Sequence, residues 1–536
     1  MLRYLSRTAP PALFIGLSCL LFACEPQYIP EWLGGGWTRP KSEGAGSYTG
    51  GGPAFTEELV QARTFTNGTA VTTVTYLLND LDGADLIPDG DVLSRTPYGI
   101  DFNGDGKIDP VVGYGNEQAV IQILLSDPDT LPGFVRYTSL TLDSKRDMRN
   151  LTDVAVGDID RDGALDIVAS AEGAVWYFHH PTGLPTTALA DWGNPDPNDE
   201  LRERIDASYT MLSDSEIQAI ISQALGPGVN IDDYIVTVEQ RYRNVQIGDV
   251  DNDGDNDVIA SRSFVMTCTP RPDVPVEPIQ ITDGNVMAFI NPGFSTTGHN
   301  WTAISLGTHE RQSRLDRDGA TGLLLYDLDD DGDLDVISAA GEDNNAQVAW
   351  FENPVENRPQ APGPGLLVDT PWKQWRIGSV RNAWSIDIAD LTGDGRPDVV
   401  ATGSNQQQML LFVQPNAGPA RSYDWDTYVL VTFETFEPRD LKIVDIDLDG
   451  ALEIVVGGSA GAVRYFESSG DPTQVWHPVV ITNFPAGGDV GWLGYGDLDA
   501  DGDYDLVTVI ETDQENDSRV SWIRNEVLAL PGVASP

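Results

Sequence analysis

Nine residues beginning at Asp327, DLDDDGDLD, set carboxylates at positions 1, 3, 5 and 9 (Asp327, Asp329, Asp331 and Asp335) and Gly332 at position 6. In a tightly curled loop, alternate side chains point at one centre. Carboxylate oxygens gathered this way are what a hard divalent cation takes; calcium accepts six to eight at about 2.3–2.6 Å. The glycine permits a positive φ, and position 7 can add its carbonyl oxygen. The chain then leaves through an apolar run, Val336-Ile337-Ser338.

Six more stretches repeat the pattern in phase. They are Asp101, Asn103, Asp105, Asp109; Asp158, Asp160, Asp162, Asp166; and Asp249, Asp251, Asp253, Asp257. The others are Asp390, Thr392, Asp394, Asp398; Asp445, Asp447, Asp449, Glu453; and Asp497, Asp499, Asp501, Asp505. Asn103, Thr392 and Glu453 depart from aspartate but still offer oxygen, and the loops at 101 and 390, one carboxylate short, should bind more weakly. Acidic residues with glycine also make ordinary turns. Seven copies with one phase and one apolar exit argue for metal instead, so up to seven structural Ca2+ ions are expected.

These positions hold 26 of the 83 acidic residues, and seven divalent ions would bring the formal charge from −51 to −37. Much of the acidity is therefore ligand chemistry. The remaining negative charge argues against nucleic acid or an anionic membrane surface as a partner, because both would repel it.

The N-terminus opens with a short basic region, Met1 to Arg7, followed by an apolar run from Pro11 to Ala23 that is short for a membrane span. Leu21-Phe22-Ala23-Cys24 resembles a bacterial lipoprotein signal. The expectation is a signal peptide over 1–23, lipidation at Cys24, and a location on the cell envelope, at the outer membrane or cell surface, with plain secretion as the alternative. Of the three cysteines, Cys19 would leave with the signal and Cys24 would take lipid. Cys268 would then stand alone, so no internal disulfide is expected. Residues 24–56, rich in glycine and proline, read as a flexible tether.

Loop starts are spaced 57, 91, 78, 63, 55 and 52 residues apart, and the shortest spacings indicate a repeat of blade size. Each unit has an apolar strand entering the loop, a second leaving it, an aromatic third (Val175–Phe178, Val348–Phe351, Val463–Phe466), and often a fourth near a tryptophan such as Trp301, Trp375, Trp425 or Trp476. Four short strands repeated seven times predict an all-β fold, a seven-bladed β-propeller over 57–536 with four-stranded blades, calcium loops and one helical insertion.

These loops, their Asp-Ile-Val exits, and the Trp350-Phe351-Glu352-Asn353-Pro354 strand resemble FG-GAP/VCBS repeats, found in integrin α-subunit propellers and in many secreted bacterial proteins. The resemblance covers about residues 60–530. It implies structural calcium in the matching loops, and no sugar-binding or catalytic residue is carried over with it.

The last unit lacks a fourth strand after 519–527, and the unassigned β-rich run 70–78 is expected to supply it, closing the ring without a covalent bond. Two units are overlong. One insertion carries a helix over Ser213–Leu225, with Ser213 and Glu216 as a capping box and Ile217, Ile220, Ile221 and Leu225 as its apolar stripe. Read as joining strands three and four, it should lie on the calcium-loop face. The other, Thr267–Asp283, extends a hairpin that should project from the opposite face.

No nucleophile elbow, zinc-protease helix, phosphate loop or CxxC pair occurs, and the five histidines are scattered. The adjacent His179 and His180 point to opposite faces of a strand, against a joint metal site. Packing between blades explains the tryptophans more simply than sugar stacking. The expected function is a monomeric, surface-anchored binding or adhesion propeller without catalytic activity, its partner an extracellular or envelope protein or glycan. The alternatives are a lectin-like propeller and a calcium-dependent polysaccharide-degrading enzyme.

Overall fold

The apolar runs that leave the acidic loops become strands buried from end to end. Asp166–Ala171, Asp335–Ala340, Asp398–Gly403 and Glu453–Gly458 have all six residues buried. A strand buried on both faces needs a packing partner on each side, and stacked sheets supply one. The computed structural model describes residues 55–62, 71–75, 102, 108–114, 120–126, 134–141, 151–161, 165–171, 173–180, 202–208, 214–226, 231–272, 278–293, 301–309, 320–340, 346–355, 372–403, 407–415, 425–434, 436–483, 488–498, 502–511, 519–525 and 527. All fall in the second of two units, Gly52–Pro536. The predicted signal, Cys24 and the tether through residue 54 lie outside the described residues.

Strand β1 (Phe55–Ala62) precedes β2 (Val71–Thr75), β3 (Val111–Tyr114), β4 (Val120–Ser126) and β5 (Phe134–Thr141). Next come β6 (Leu151–Gly157), β7 (Asp166–Ala171), β8 (Ala174–Phe178) and β9 (Arg202–Arg204), then helix α1 (Asp214–Leu225). The longest sheet follows, β10 (Tyr234–Gly248), β11 (Asp257–Pro270), β12 (Ile279–Ile290) and β13 (Thr302–Gly307). β14 (Ala320–Tyr326), β15 (Asp335–Ala340), β16 (Ala346–Glu352) and β17 (Lys373–Val380) make another. β18 (Ala383–Ala389), β19 (Asp398–Gly403), β20 (Gln408–Val413) and β21 (Asp426–Thr432) make the next. β22 (Pro438–Val444), β23 (Glu453–Gly458), β24 (Ala462–Glu467) and β25 (His477–Asn483) precede β26 (Asp489–Gly496), β27 (Asp505–Glu511) and β28 (Arg519–Asn525).

The sheets are four-stranded and pair antiparallel in chain order, and β1 is the exception that joins β28. Inner strands of successive sheets touch, β6 to β10, β10 to β14, β14 to β18, β18 to β22 and β22 to β26. The cores lie between neighbouring sheets. Trp350, Val348 and Ile377 pack with Ile386, Val399 and Phe412 of the next sheet, and Val400, Met409 and Leu411 with Leu441, Ile454 and Phe466. The protein is thus an all-β propeller with four-stranded blades and, among the described residues, one α-helix.

The described backbone pairs into seven four-stranded sheets. Six sheets have an inner strand whose side chains are described and packed between neighbours: β6, β10, β14, β18, β22 and β26. The backbone of β2–β5 also pairs as a four-stranded sheet, and Val111, Ile121 and Ile123 of it pack on Val154 and Ile167. Its strand β2 touches β6 on one side and β26 on the other.

Two expectations change. The strand that completes the last blade is β1, with Phe55 opposite Asn525 and Ala62 opposite Arg519, whereas residues 71–75 within the expected run pair with β3. Residues 71–75 are all Val and Thr, whereas 55–62 carry Glu57, Glu58, Leu59, Gln61 and Ala62, which favour helix, so pairing with β28 overrides propensity there. The helix also lies on the other side from that expected. A fourth strand, β9, already completes its sheet before α1 begins, so the insertion links one blade's outer strand to the next inner strand. It packs through Ile221 and Ala224 on Phe264, Met266, Cys268 and Ile281. These residues sit on the hairpin extension of β11 and β12, at the end of the blade away from the loop at 249–257. Ser213 of the expected capping box lies outside the described residues.

Candidate metal loops and the contacts between them

Four loops bring three carboxylates together at positions 1, 3 and 9. The sets are Asp158, Asp160, Asp166; Asp249, Asp251, Asp257; Asp327, Asp329, Asp335; and Asp445, Asp447, Glu453, each with one oxygen per residue within 4.8 Å of the others. The backbone explains the convergence. Position 4 takes a positive φ at Arg161 (59°), Asn252 (54°), Asp330 (57°) and Leu448 (58°), and the position-6 glycine does so at Gly254 (92°), Gly332 (91°) and Gly450 (85°). Two left-handed residues separated by one curl the loop tightly enough for its N–H groups to face inward. The sequence signals position 6 clearly, but Leu448 and Arg161 give no sign of position 4.

The position-1 carboxylate closes the curl. Asp249 accepts N–H bonds from Asp253 (3.2 Å) and Gly254 (2.7 Å). Asp327 accepts from Asp331 (3.1 Å) and Gly332 (2.9 Å), and Asp445 from Asp449 (3.0 Å) and Gly450 (2.9 Å). The position-5 residues Asp253, Asp331 and Asp449 are outside the trios. Asp253 and Asp449 each accept an N–H from two residues on, at 2.9 Å. Asp330 points outward and is exposed.

Position 9 is buried in every loop where it is described. Its second oxygen accepts the position-2 N–H, at 3.0 Å for Ile159 to Asp166 and Val250 to Asp257, and 3.1 Å for Ile446 to Glu453. The same bond reaches Asp109 from Phe102 (2.9 Å), Asp335 from Leu328 (3.2 Å) and Asp505 from Leu498 (3.2 Å). Its first oxygen accepts the N–H of a residue at the end of the third strand or just past it: His180, Asn291, Asn353 and Asn525, each at 2.7 Å.

Those asparagines have a role that sequence reasoning left unassigned. Asn291 donates its side-chain N–H to Ile159 O (3.0 Å), Asn353 to Val250 O (2.8 Å) and Asn525 to Ile446 O (2.8 Å). Each acceptor is position 2 of the preceding blade's loop. Gln414 does the same to Leu328 O at 2.9 Å. The asparagine also binds its own loop at position 8, as in Asn353 to Leu334 O (2.9 Å). The Asn-Pro that follows the aromatic strand at Asn291 and Asn353 was the available signal, and Asn525, followed by Glu526, lacks it.

Burial sets the electrostatics. Desolvation, reinforced by Asp160, raises Asp166 to about 8. Desolvation with Asp447, Asp449 and Asp445 raises Glu453 to about 9. Asp257 and Asp335 lie well above the usual range for the same reason, next to Asp251 and next to Asp333 and Asp329 respectively. Asp251 rises to about 7 and Asp249 to about 6. Buried carboxylates that crowd one another in this way require protons or a cation.

The loop at 390 gathers no such trio. Thr392 donates its hydroxyl to Asp390 at 3.5 Å and its N–H to Asp398 at 3.0 Å, and Asp394 pairs with Arg396. In the loop at 497, Asp497 and Asp505 are placed, while Asp499 and Asp501 lie outside the described residues, as do Asp101, Asn103, Asp105 and Asp162.

The chain matches the FG-GAP-like repeat model at residues 101–169, 327–401 and 445–508, stretches that contain the loops beginning at 101, 158, 327, 390, 445 and 497. No curated protein matches it. Among solved structures, one described as "Structure of Dos1 propeller" is similar, with 9% identity, 87% of this chain and 94% of that chain covered, and a TM-score of 0.41. That degree of likeness implies nothing about partner or activity. No helix among the described residues is long and apolar enough to cross a membrane.

Proposed function

We propose that this is a calcium-stabilised binding or adhesion propeller without catalytic activity, displayed from a bacterial cell envelope by a lipid on Cys24. The four converged carboxylate trios carry the metal part of the reading. Three oxygens within 4.8 Å, held by inward N–H groups and a rigid strand exit, fit a hard cation. They hold no thiolate or imidazole that would favour a softer one. When bound, calcium supplies charge neutralisation and cross-linking. The chain's residues supply the frame: position 1 curls the loop, and position 9 anchors it to the asparagine that grips the neighbouring blade.

The binding role rests on the FG-GAP-like repeats and the propeller fold. The lectin alternative loses its leading candidates, because Trp301, Trp350, Trp375, Trp425 and Trp476 are at most 8% exposed and fill the space between blades. Calorimetric titration of calcium into chelator-stripped protein tests the metal. A stoichiometry of at least four equivalents is expected, and absence of binding overturns it. A glycan array and an envelope-protein pull-down with the calcium-loaded body test the partner class, and turnover of an acidic polysaccharide sinks the non-catalytic reading.

A further inference from the structure

Strands β10, β11 and β12 run to 15, 14 and 12 residues, where the second strands of other blades have six or seven. The fourth strand, β13, pairs with β12 only as far as Val286, so the added length forms a three-stranded arm. Helix α1 covers one face of the arm, where Tyr234, Val236 and Val238 border the small core around Ile221, Met266 and Cys268. On the opposite face Ile235, Thr237 and Glu239 are exposed.

The hydrogen bonding fixes which way the β10 backbone faces. Arg271 donates its N–H to Asp233 O at 3.0 Å. In the antiparallel register of β10 and β11, the residues that bond to β11 are therefore Ile235, Thr237, Glu239 and Arg241. The alternate residues, Tyr234, Val236, Val238, Gln240 and Tyr242, turn their N–H and C=O groups away from β11. Tyr234 fits this, because Pro270 opposite it has no N–H to give. The neighbouring blade covers the last two: Tyr242 O accepts the Thr152 hydroxyl at 2.7 Å, and Gln240 O lies too close to Gly173 for a Cβ there. Tyr234, Val236 and Val238 continue the same edge beyond that blade. Among the described residues, nothing bonds to their outward groups.

Native sheets guard a free edge with proline, charge, a bulge or a covering element. The run Tyr234-Ile235-Val236-Thr237-Val238 has no proline and no charge, and it pairs with β11 without a register shift. We infer that this edge is a docking site for an extended segment of another polypeptide, which adds to the arm as a further antiparallel strand. Outward N–H and C=O groups on every second residue are what the backbone of such a strand satisfies. Its residues opposite Tyr234, Val236 and Val238 share their face and meet apolar surface, so they are apolar. Those between lie on the exposed face, near the exposed Asp233 and Glu239, the latter 3.7 Å from Arg241. In a chain of net charge −51 these intervening positions suit lysine or arginine, and the same charge disfavours a second copy of this chain. The inference deepens the binding role proposed above, and its failure would leave that role to the array and pull-down, which test it by other means.

The test uses the full chain, calcium-loaded, and a fluorescein-labelled heptapeptide that alternates lysine and valine. A peptide of the same composition, with its valines in one block, is the control for charge alone. Fluorescence anisotropy should show the alternating peptide binding about tenfold more tightly than the block peptide, or better. Because the N–H of Val236 faces away from β11, Val236→Pro removes no ladder bond. It should melt close to wild type yet bind the peptide about tenfold more weakly, or worse. Thr237→Pro, whose N–H goes to β11, should melt well below both. Ile235→Lys, on the exposed face, should weaken binding by repulsion and leave Tm unchanged. The inference is overturned if the alternating peptide does not bind, if the block peptide binds as well, or if folded Val236→Pro binds unaltered. It is also overturned if Thr237→Pro melts with the wild type, or if sedimentation shows wild-type dimers that Val236→Pro disperses, which would make a second copy the occupant.

Discussion

The side-chain amide of Asn353 donates to the carbonyl of Val250, 103 residues earlier and one blade back, at 2.8 Å. Through its backbone N–H, the same residue holds the position-9 carboxylate of its own loop, Asp335, at 2.7 Å. One buried asparagine therefore ties a candidate metal ligand to the neighbouring candidate metal loop. The arrangement recurs at Asn291 and Asn525, so the loops form a connected rim.

Asn353→Ala removes the donor and leaves the Val250 and Leu334 carbonyls without it in a buried place. Such a loss costs about 1–3 kcal/mol. Asn353→Ala should lower Tm and also weaken calcium binding at the loops beginning at 249 and 327, measured by melts and titration. A fall in Tm with calcium affinities unchanged would show the latch to be structural alone.

Ring closure gives a second test. β1 pairs with β28 along Phe55–Ala62, and without it β28 would be an open sheet edge, a template for aggregation. A chain starting at residue 55 should keep the full-length melting temperature, whereas a chain starting at residue 63 should melt earlier and aggregate. Light scattering and thermal melts on the two truncations decide it, and equal behaviour would remove β1 from that role.

What the sequence disclosed, and what it hid, divides along the range of the interactions. The acidic loops, their exits and the outer strands near a tryptophan were legible because each is local and repeated; β13, β21 and β25 follow Trp301, Trp425 and Trp476 closely, and Trp375 lies within β17. The closing strand was misplaced because 70–78 carries the stronger β propensity, while 55–62, with Glu57, Glu58, Leu59, Gln61 and Ala62, becomes a strand only through its pairing with β28. The face of α1 was misjudged because the three-residue strand β9 was too short to be seen. The role of Asn353 was invisible for a similar reason, since its partner Val250 is not its neighbour in sequence.

Charge at the inner strands predicts a pH effect separate from metal. Asp153 is buried and accepts N–H bonds from Val154 and, across the blade boundary, from Val245, each at 3.0 Å. Desolvation raises its pKa to about 7, with those bonds, Asn244 and Lys442 pulling the other way. Burial lowers Lys442, but Asp440, Asp387 and Asp153 outweigh it and its pKa is raised. A folded-state pKa above the unfolded one means that the native chain holds the extra proton between about pH 4 and 7, so the contribution of Asp153 to stability falls as pH rises through that window. Asp153→Asn cannot titrate. In saturating calcium, the stability of wild type relative to Asp153→Asn should therefore decline by a few kcal/mol, at most about 4, from pH 4 to 8. Lys442→Met should push the transition to higher pH. A difference that stays flat with pH would mean that Asp153 is ionised throughout.

The metal loops allow the sharpest control, because the loop at 327 has adjacent aspartates with opposite roles. Asp329 belongs to the converged trio with Asp327 and Asp335, whereas Asp330 next to it is exposed, at a φ of 57°. Removing either side chain removes one negative charge. Calcium modules outside the cell often have dissociation constants of about 10⁻⁴–10⁻³ M, and at ten times such a constant one site adds roughly 1.4 kcal/mol. Four independent sites would add on the order of 5 kcal/mol, comparable to the whole stability of many domains. Asp329→Ala should therefore lose about one calcium equivalent and the corresponding part of the calcium-dependent rise in Tm. Asp330→Asn, chosen because asparagine tolerates positive φ, should keep the wild-type stoichiometry. Titration calorimetry and melts with and without chelator give both numbers. Equal losses from the two substitutions would mean that general acidity, not coordination, holds the ion, and the loops would cease to be metal sites.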